Sequence, residues 1–239
     1  MLNRFRFRAI PFVATVLLVA LGVSLGQWQD RRAGEKIALQ AKLAQRAAQP
    51  PMAVGSELMS KDDVEFRAVS VTGQFVDQWP LFLDNRPVQG KVGFYLLMPF
   101  KITGSSTHVL VARGWVPRYN GEHDRLPEFA TPQGTVTVAG VAKAGMGRVM
   151  QLGDAAAVKP RAILQNLTPA QFADASKLTV QPFFIEQTGP LDAGDKLVRD
   201  WPAPSLGVEK HQGYAFQWYA LALMALVFFV VTGLRRGTK

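Results

Sequence analysis

His211, Tyr214 and Trp218 stand at i, i+3 and i+7 near the C-terminal end of the chain, with Leu221 or Ala222 following at i+10 or i+11. On a helix these positions share one face. An imidazole stacked beneath two aromatic rings supplies a nitrogen ligand and flat apolar walls, the two things a haem iron and its macrocycle require. The same spacing also fits a histidine that simply sits among lipid headgroups. The other two histidines are plainer. His108 falls in an alternating apolar stretch as an ordinary strand residue, and His123 lies among Glu122, Asp124 and Arg125 in a solvated loop.

Enzyme signatures are scarce. No HExxH, P-loop or GxGxxG occurs, which argues against an anchored metalloprotease or nucleotide-dependent enzyme. The absence of cysteine removes thiol-based copper delivery, Cys-ligated zinc and CxxC redox chemistry. Met146 and Met150 read as packing residues, because two thioethers without His or Cys beside them make a poor soft-metal site.

The candidate face needs a membrane helix to carry it. Tyr214–Leu234 holds no formal charge, and at 1.5 Å per residue it reaches roughly the 30 Å of a bilayer's hydrocarbon core. Ala9–Leu25 is equally uncharged and sits at the short limit for a span. A cleaved signal peptide is the alternative for this first segment, with Ala20-Leu21-Gly22 as a weak cleavage site. Gly22 and Gly26 form a small-xxx-small pair, which suits close helix packing or chance, since glycine is common in spans. Trp28 follows as an interfacial anchor.

Charge gives the expected topology. The chain has 27 Lys+Arg and 18 Asp+Glu. Arg4, Arg6 and Arg8 precede the first span, Arg235, Arg236 and Lys239 follow the second, and neither tail holds an acid. By the positive-inside rule both tails are cytoplasmic. The intervening loop carries a net charge of only +3, no basic stripe, so nucleic-acid binding is not indicated. The expected organisation is a basic tail at 1–8, a transmembrane helix at 9–26, and an extracytoplasmic domain at 27–213. A second transmembrane helix at 214–234 and a basic tail at 235–239 follow.

The domain at 27–213 begins as a juxtamembrane helix to about Gln49, stopped by Pro50-Pro51. The period then changes to two. Val69, Val71, Gly73 and Phe75 alternate with polar residues, as in a half-buried strand. Further strands are expected over Leu81–Leu83, Val92–Ile102, His108–Val116, Val136–Ala142, Ile163–Leu167 and Pro182–Gln187. Asp84-Asn85-Arg86-Pro87 reads as a turn, and Thr103–Ser106 as the loop of a hairpin. Thr168, Pro169 and Gln171 mark a helix start, running to about Ser176. Gly189–Pro204 is irregular. The fold class is thus a membrane protein whose two transmembrane helices flank a mainly β domain. That domain has about seven strands, able to close into a small antiparallel barrel, and one or two short helices.

Several blocks, in order, resemble the Surfeit-locus family of cytochrome c oxidase assembly proteins. Leu25-Gly26-Gln27-Trp28-Gln29 with Arg32 and Lys36 is similar to that family's first span exit. Glu65-Phe66-Arg67 leading into Val69–Phe75 resembles its first ectodomain strand, and Leu110–Pro117 its Arg113-Gly114-Trp115 block. His211, Tyr214, Trp218 and Tyr219 match the entry to its second span. The chain departs from the family at Ala112 and Glu209, where Asn is usual, and lacks a mid-domain pattern around Lys159–Leu167.

The resemblance implies a non-enzymatic role in maturing the catalytic subunit of cytochrome c oxidase, with that subunit and haem a synthase as partners besides membrane lipid. It implies transient haem a binding, His211 being the iron ligand and Tyr214, Trp218 and Trp28 its surroundings. Arg32, Arg67, Arg113, Trp115, Gly22 and Gly26 become partner-contacting or structural residues. A bacterial inner membrane is the expected location, or a mitochondrial one in a eukaryote. A scaffold that stabilises oxidase subunits without carrying cofactor is the competing expectation. On either, the two span ends bring Trp28 and Arg32 to the same bilayer surface as His211, Tyr214 and Trp218.

Overall fold

The computed structural model describes residues 7–119, 125–151, 153–191, 195–202 and 207–235. His123, Glu122 and Asp124 lie outside the described residues, as do Arg4, Arg6, Arg236, Lys239 and the side chain of Arg235. The chain divides into a helical unit, 1–44 with 204–239, and a β unit, 45–203.

The helical unit is built from α1 (Ala9–Ala47) and α4 (Val208–Arg235), both long and apolar enough to cross a membrane. The expected stop of α1 before Pro50-Pro51 is found. Helix α4 begins before the uncharged run, so His211 lies in its first turns.

In the β unit the described elements run β1 (Met52–Ala53), α2 (Lys61–Val64), β2 (Ala68–Phe75), β3 (Leu81–Val88), β4 (Lys91–Ile102) and β5 (Thr107–Pro117). They continue with β6 (Val136–Lys143), β7 (Ile163–Leu164), α3 (Pro169–Ser176) and β8 (Thr179–Gln187). The sheet order β2-β6-β8-β5-β4 closes on itself, because β4 also pairs with β2. The result is a five-stranded barrel, with β1 beside β2 and β3 and β7 extending from β4. Its β5–β8 seam is parallel, the other barrel seams antiparallel.

The period-two pattern explains the interior. Val69, Val71, Phe100, Ile102, Val109, Val111, Val138, Phe183 and Ile185 form one buried cluster, contributed by every barrel strand. Gly73 is the corner that permits closure. It pairs with Val136 on one side and Ile102 on the other, and a Cβ there would run into the Lys101 carbonyl. Outside the barrel, Leu81, Leu83, Leu97, Leu110, Trp115 and Phe184 form a second cluster, to which α3 adds Phe172. The capping box of α3 forms as its sequence requires: Gln171 N donates to Thr168 Oγ1 at 3.2 Å, and Thr168 N donates to Gln171 Oε1 at 2.9 Å.

Two local expectations are corrected. The expected turn at Asp84–Pro87 is a bulge inside β3: Asn85 takes φ 57°, which Asn tolerates, and the register slips between Leu83 and Arg86. The chain reverses instead at Gln89-Gly90, both with positive φ, as a two-residue hairpin turn demands. Strand β7 ends at Leu164 rather than Leu167, because Asn166 turns its side chain onto both backbone groups of Val149, at 3.0 Å each.

Candidate functional site

In the helical unit α1 and α4 run antiparallel, and the contact is built on small residues. Gly22 and Gly26 are buried on α1, and Ala215 and Ala222 on α4. A Cβ on Gly26 would lie 2.5 Å from the Tyr219 ring, and one on Gly22 would lie 3.0 Å from both the Ala222 Cβ and the Trp218 carbonyl. The two glycines are therefore the sockets that let the aromatic positions of α4 approach the α1 backbone. Beyond Gly26, Tyr219 Oη donates to Asp30 Oδ2 at 2.7 Å, and His211 Nδ1 meets Gln29 Oε1 at 2.7 Å.

The expected constellation is partly assembled. Trp218 is half-buried and lines an apolar cleft of about 410 Å³ with Leu18, Leu21, Gly22, Met224 and Phe228. Tyr214 is 52% exposed, so it presents its ring outward. Trp28 is 44% exposed, with the Arg32 guanidinium 5.9 Å over its ring, and Arg32 also pairs with Glu35 at 2.9 Å. The residue that reaches His211 is Gln29, one position on from Trp28 and so about 100° round the helix. Gln29 stands in the sequence only as the last residue of the Leu25–Gln29 block, with no partner assigned, and Asp30 and Ala215 carry no signature of their own. The signal available was positional: Gln and Asp directly after a span are polar groups that want partners, and Gly22–Gly26 points toward them.

The Arg113-Gly114-Trp115 block is interior to the β unit. Arg113 is the extra residue of a bulge in β5, between Ala112, opposite Leu97, and Gly114, opposite Leu96. Its guanidinium is fully buried, donates to the Ala130 carbonyl at 2.6 Å, lies 3.3 Å from Asp195 Oδ2, and sits 4.9 Å over the Phe75 ring. Arg199 Nη2 lies 3.7 Å from the same Asp195 oxygen, and its Nε donates to the Arg113 carbonyl at 3.0 Å. Gly114 lets this return segment approach, since a Cβ would lie 2.8 Å from the Leu197 Cβ. Trp115 exchanges both backbone hydrogen bonds with Val198 at 2.7 Å and donates its indole N–H to the Arg86 carbonyl at 2.7 Å. Arg67 is half-buried and points toward Met52 Sδ at 3.6 Å.

Other ionisable groups are buried in the barrel wall. Burial pushes the Glu186 carboxyl up, against the pull of Lys143 at 3.4 Å. Burial and the Glu186 charge push the Tyr95 hydroxyl up, against Arg86. Burial lowers the His108 imidazole, opposed by hydrogen bonding of the ring to the backbone at Thr179 and Ser106 and reinforced by Lys101. Met146 is a buried core residue and Met150 is 80% exposed. Among the described residues no three His, Cys, Asp or Glu side chains gather as a metal centre. A porphyrin carries four nitrogens of its own and asks the protein only for axial ligands and apolar surface. His211 is a nitrogen ligand of that type, and Trp218, seven residues further along α4, lines the apolar cleft, which His211 itself does not.

The profile of the SURF1 family matches residues 16–223, from within the first helix to within the last. This chain belongs to the SURF1 family. A "SURF1-like protein" of Rickettsia felis is 26% identical over 87% of this chain and 90% of its own length. One from Monosiga brevicollis is 22% identical over 90% of this chain and 84% of its own. The yeast "Cytochrome oxidase assembly protein SHY1" of Saccharomyces cerevisiae is 31% identical over 38% of this chain and 24% of its own. The matched range takes in the barrel strands and both residue 29 and residue 211.

Proposed function

We propose that this SURF1-family chain is an assembly factor for cytochrome oxidase that holds haem a at His211 and assists its insertion into the catalytic subunit. Its work is binding and delivery rather than catalysis. The observation that carries the reading is the His211 imidazole, held at one nitrogen by Gln29 at 2.7 Å on a helix whose neighbouring face is apolar and aromatic. Bound there, haem would supply the iron and macrocycle that are being delivered. His211 would ligate, and Trp218 and Tyr214 would offer ring faces. The oxidase catalytic subunit and haem a synthase are the partners this role requires. The basic ends support an inner-membrane orientation with both termini cytoplasmic and the barrel periplasmic, or the mitochondrial equivalent. The test is the absorption spectrum of the full chain purified from cells that make haem a. A haem spectrum lost in His211→Ala supports the reading; an unchanged spectrum in that variant removes it.

A cofactor-free scaffold is the second reading, and the glycine-socketed helix contact favours it, because such a pair is already well packed without cargo. On that reading, deletion impairs oxidase assembly while the purified protein never holds stoichiometric haem.

A further inference from the structure

Two polar groups leave α1 toward α4, and they choose different partners. Asp30 takes the Tyr219 hydroxyl at 2.7 Å, while Gln29 takes His211 Nδ1 at 2.7 Å. The carboxylate is thus spent on a phenol and the neutral amide on the imidazole. An amide oxygen only accepts, so the ring hydrogen belongs on Nδ1 and the lone pair on Nε2. Among the described residues Nε2 makes no hydrogen bond, and the ring is half-buried. Metal ligation needs a neutral imidazole with one lone pair aimed outward, and a hydrogen bond at the other nitrogen sets which one.

We infer that Gln29 is the positioning residue of His211: it fixes the Nδ1–H tautomer and the ring orientation, so that Nε2 is the nitrogen offered to iron. This rests on the haem reading above only for what Nε2 binds; the tautomer lock is a property of the cargo-free protein.

The test uses the full chain in detergent, labelled with ¹⁵N at histidine, His211 being assigned by its loss in His211→Ala. The wild type is expected to show a protonated Nδ1 and a bare Nε2. Gln29→Leu should shift His211 toward the opposite tautomer. Gln29→Glu, which keeps an acceptor oxygen, should keep Nδ1 protonated. Tyr219→Phe, which removes the neighbouring interhelical hydrogen bond, should leave the signal where it was. Titration with haemin should weaken roughly 10- to 100-fold in Gln29→Leu, the usual range for losing the partner of a ligating histidine. A wild-type Nε2–H tautomer, or a Gln29→Leu spectrum identical to wild type, overturns the assignment. If the tautomer follows Gln29 but His211→Ala binds haemin as tightly as wild type, the haem reading falls and the tautomer lock stands.

Discussion

Arg113 and Asp195, 82 residues apart in the chain, form an ion pair of 3.3 Å in which each side chain is only 1% exposed. Arg199 shares the same carboxylate oxygen, so one buried acid holds two guanidinium groups. The pair ties the return segment to β5 at the point where β8 no longer covers it. Removing one partner leaves a buried charge, which costs about 3–5 kcal/mol. Asp195→Asn and Arg113→Ala should each lower the thermal unfolding midpoint of the full chain by several degrees. The double variant Arg113→Met, Asp195→Leu should be less destabilised than the sum of the single variants Arg113→Met and Asp195→Leu, with part of the loss remaining because Arg199 keeps its charge beside position 195. If the double variant is as destabilised as the sum of the singles, the ion pair is not what links these positions.

Gln181 should be equally costly to lose. It is fully buried; its Oε1 accepts from Met59 N at 3.0 Å, and its Nε2 donates to the Gly55 and Glu57 carbonyls at 3.1 and 2.6 Å. One side chain therefore substitutes for a strand in satisfying the segment between β1 and α2. Gln181→Leu leaves three backbone groups without it, at about 1–3 kcal/mol for each that stays buried. Hydrogen exchange at the Met59 amide should accelerate markedly, while amides of β4 stay protected. Unchanged exchange at Met59 would show that the loop is held by other means.

What could be read from the sequence was whatever has a local signature. Val69 and Val71 gave the barrel face by alternation, Pro50-Pro51 gave the end of α1, and Thr168 with Gln171 gave the cap of α3. Asn85 misled because a left-handed Asn serves a bulge as well as a turn, and only the pairing of β3 with β4 decides between them. The Arg113–Asp195 pair, the parallel β5–β8 seam and the Gln29–His211 contact join residues far apart in sequence, so no short window contains them. In the candidate site, the placement of His211 on one helix with Tyr214 and Trp218 was legible from the uncharged run and its spacing. The partner of His211 was not, because a rotation of one residue on α1 exchanges Trp28 for Gln29.

His108 should make stability depend on pH. Burial lowers its folded value below the ordinary imidazole value of 6.5, with Lys101 acting in the same direction. As pH falls through about 6.5, the unfolded chain takes up a proton there that the folded chain refuses. Stability is therefore lost below about 6.5, until the folded value is passed. Glu186 works in the opposite sense: its folded value is raised, so its contribution is full below the ordinary value of 4.5 and fades as pH rises through the folded one. Unfolding midpoints measured from pH 7.5 to 5.5 should fall for wild type, and less steeply for His108→Gln. Parallel curves for the two proteins would remove His108 from the account.

Gly26 should be the residue on which the helix pair depends most. Its missing Cβ is the space occupied by the Tyr219 ring, 2.5 Å from where that carbon would be, and the same ring carries the hydroxyl that reaches Asp30. A side chain at 26 must push the ring away, and the Tyr219–Asp30 hydrogen bond leaves with it. Gly22 is more forgiving, with its nearest contacts at 3.0 Å. Because the chain has no cysteine, Gly22→Cys with Ala222→Cys gives a background-free reporter of the contact. The two Cβ positions are close enough for a disulfide after a small adjustment. Mild oxidation in membranes should cross-link the pair efficiently, and adding Gly26→Leu should cut the yield severalfold. Equal yields with and without Gly26→Leu would mean that the helices meet without using the glycine socket.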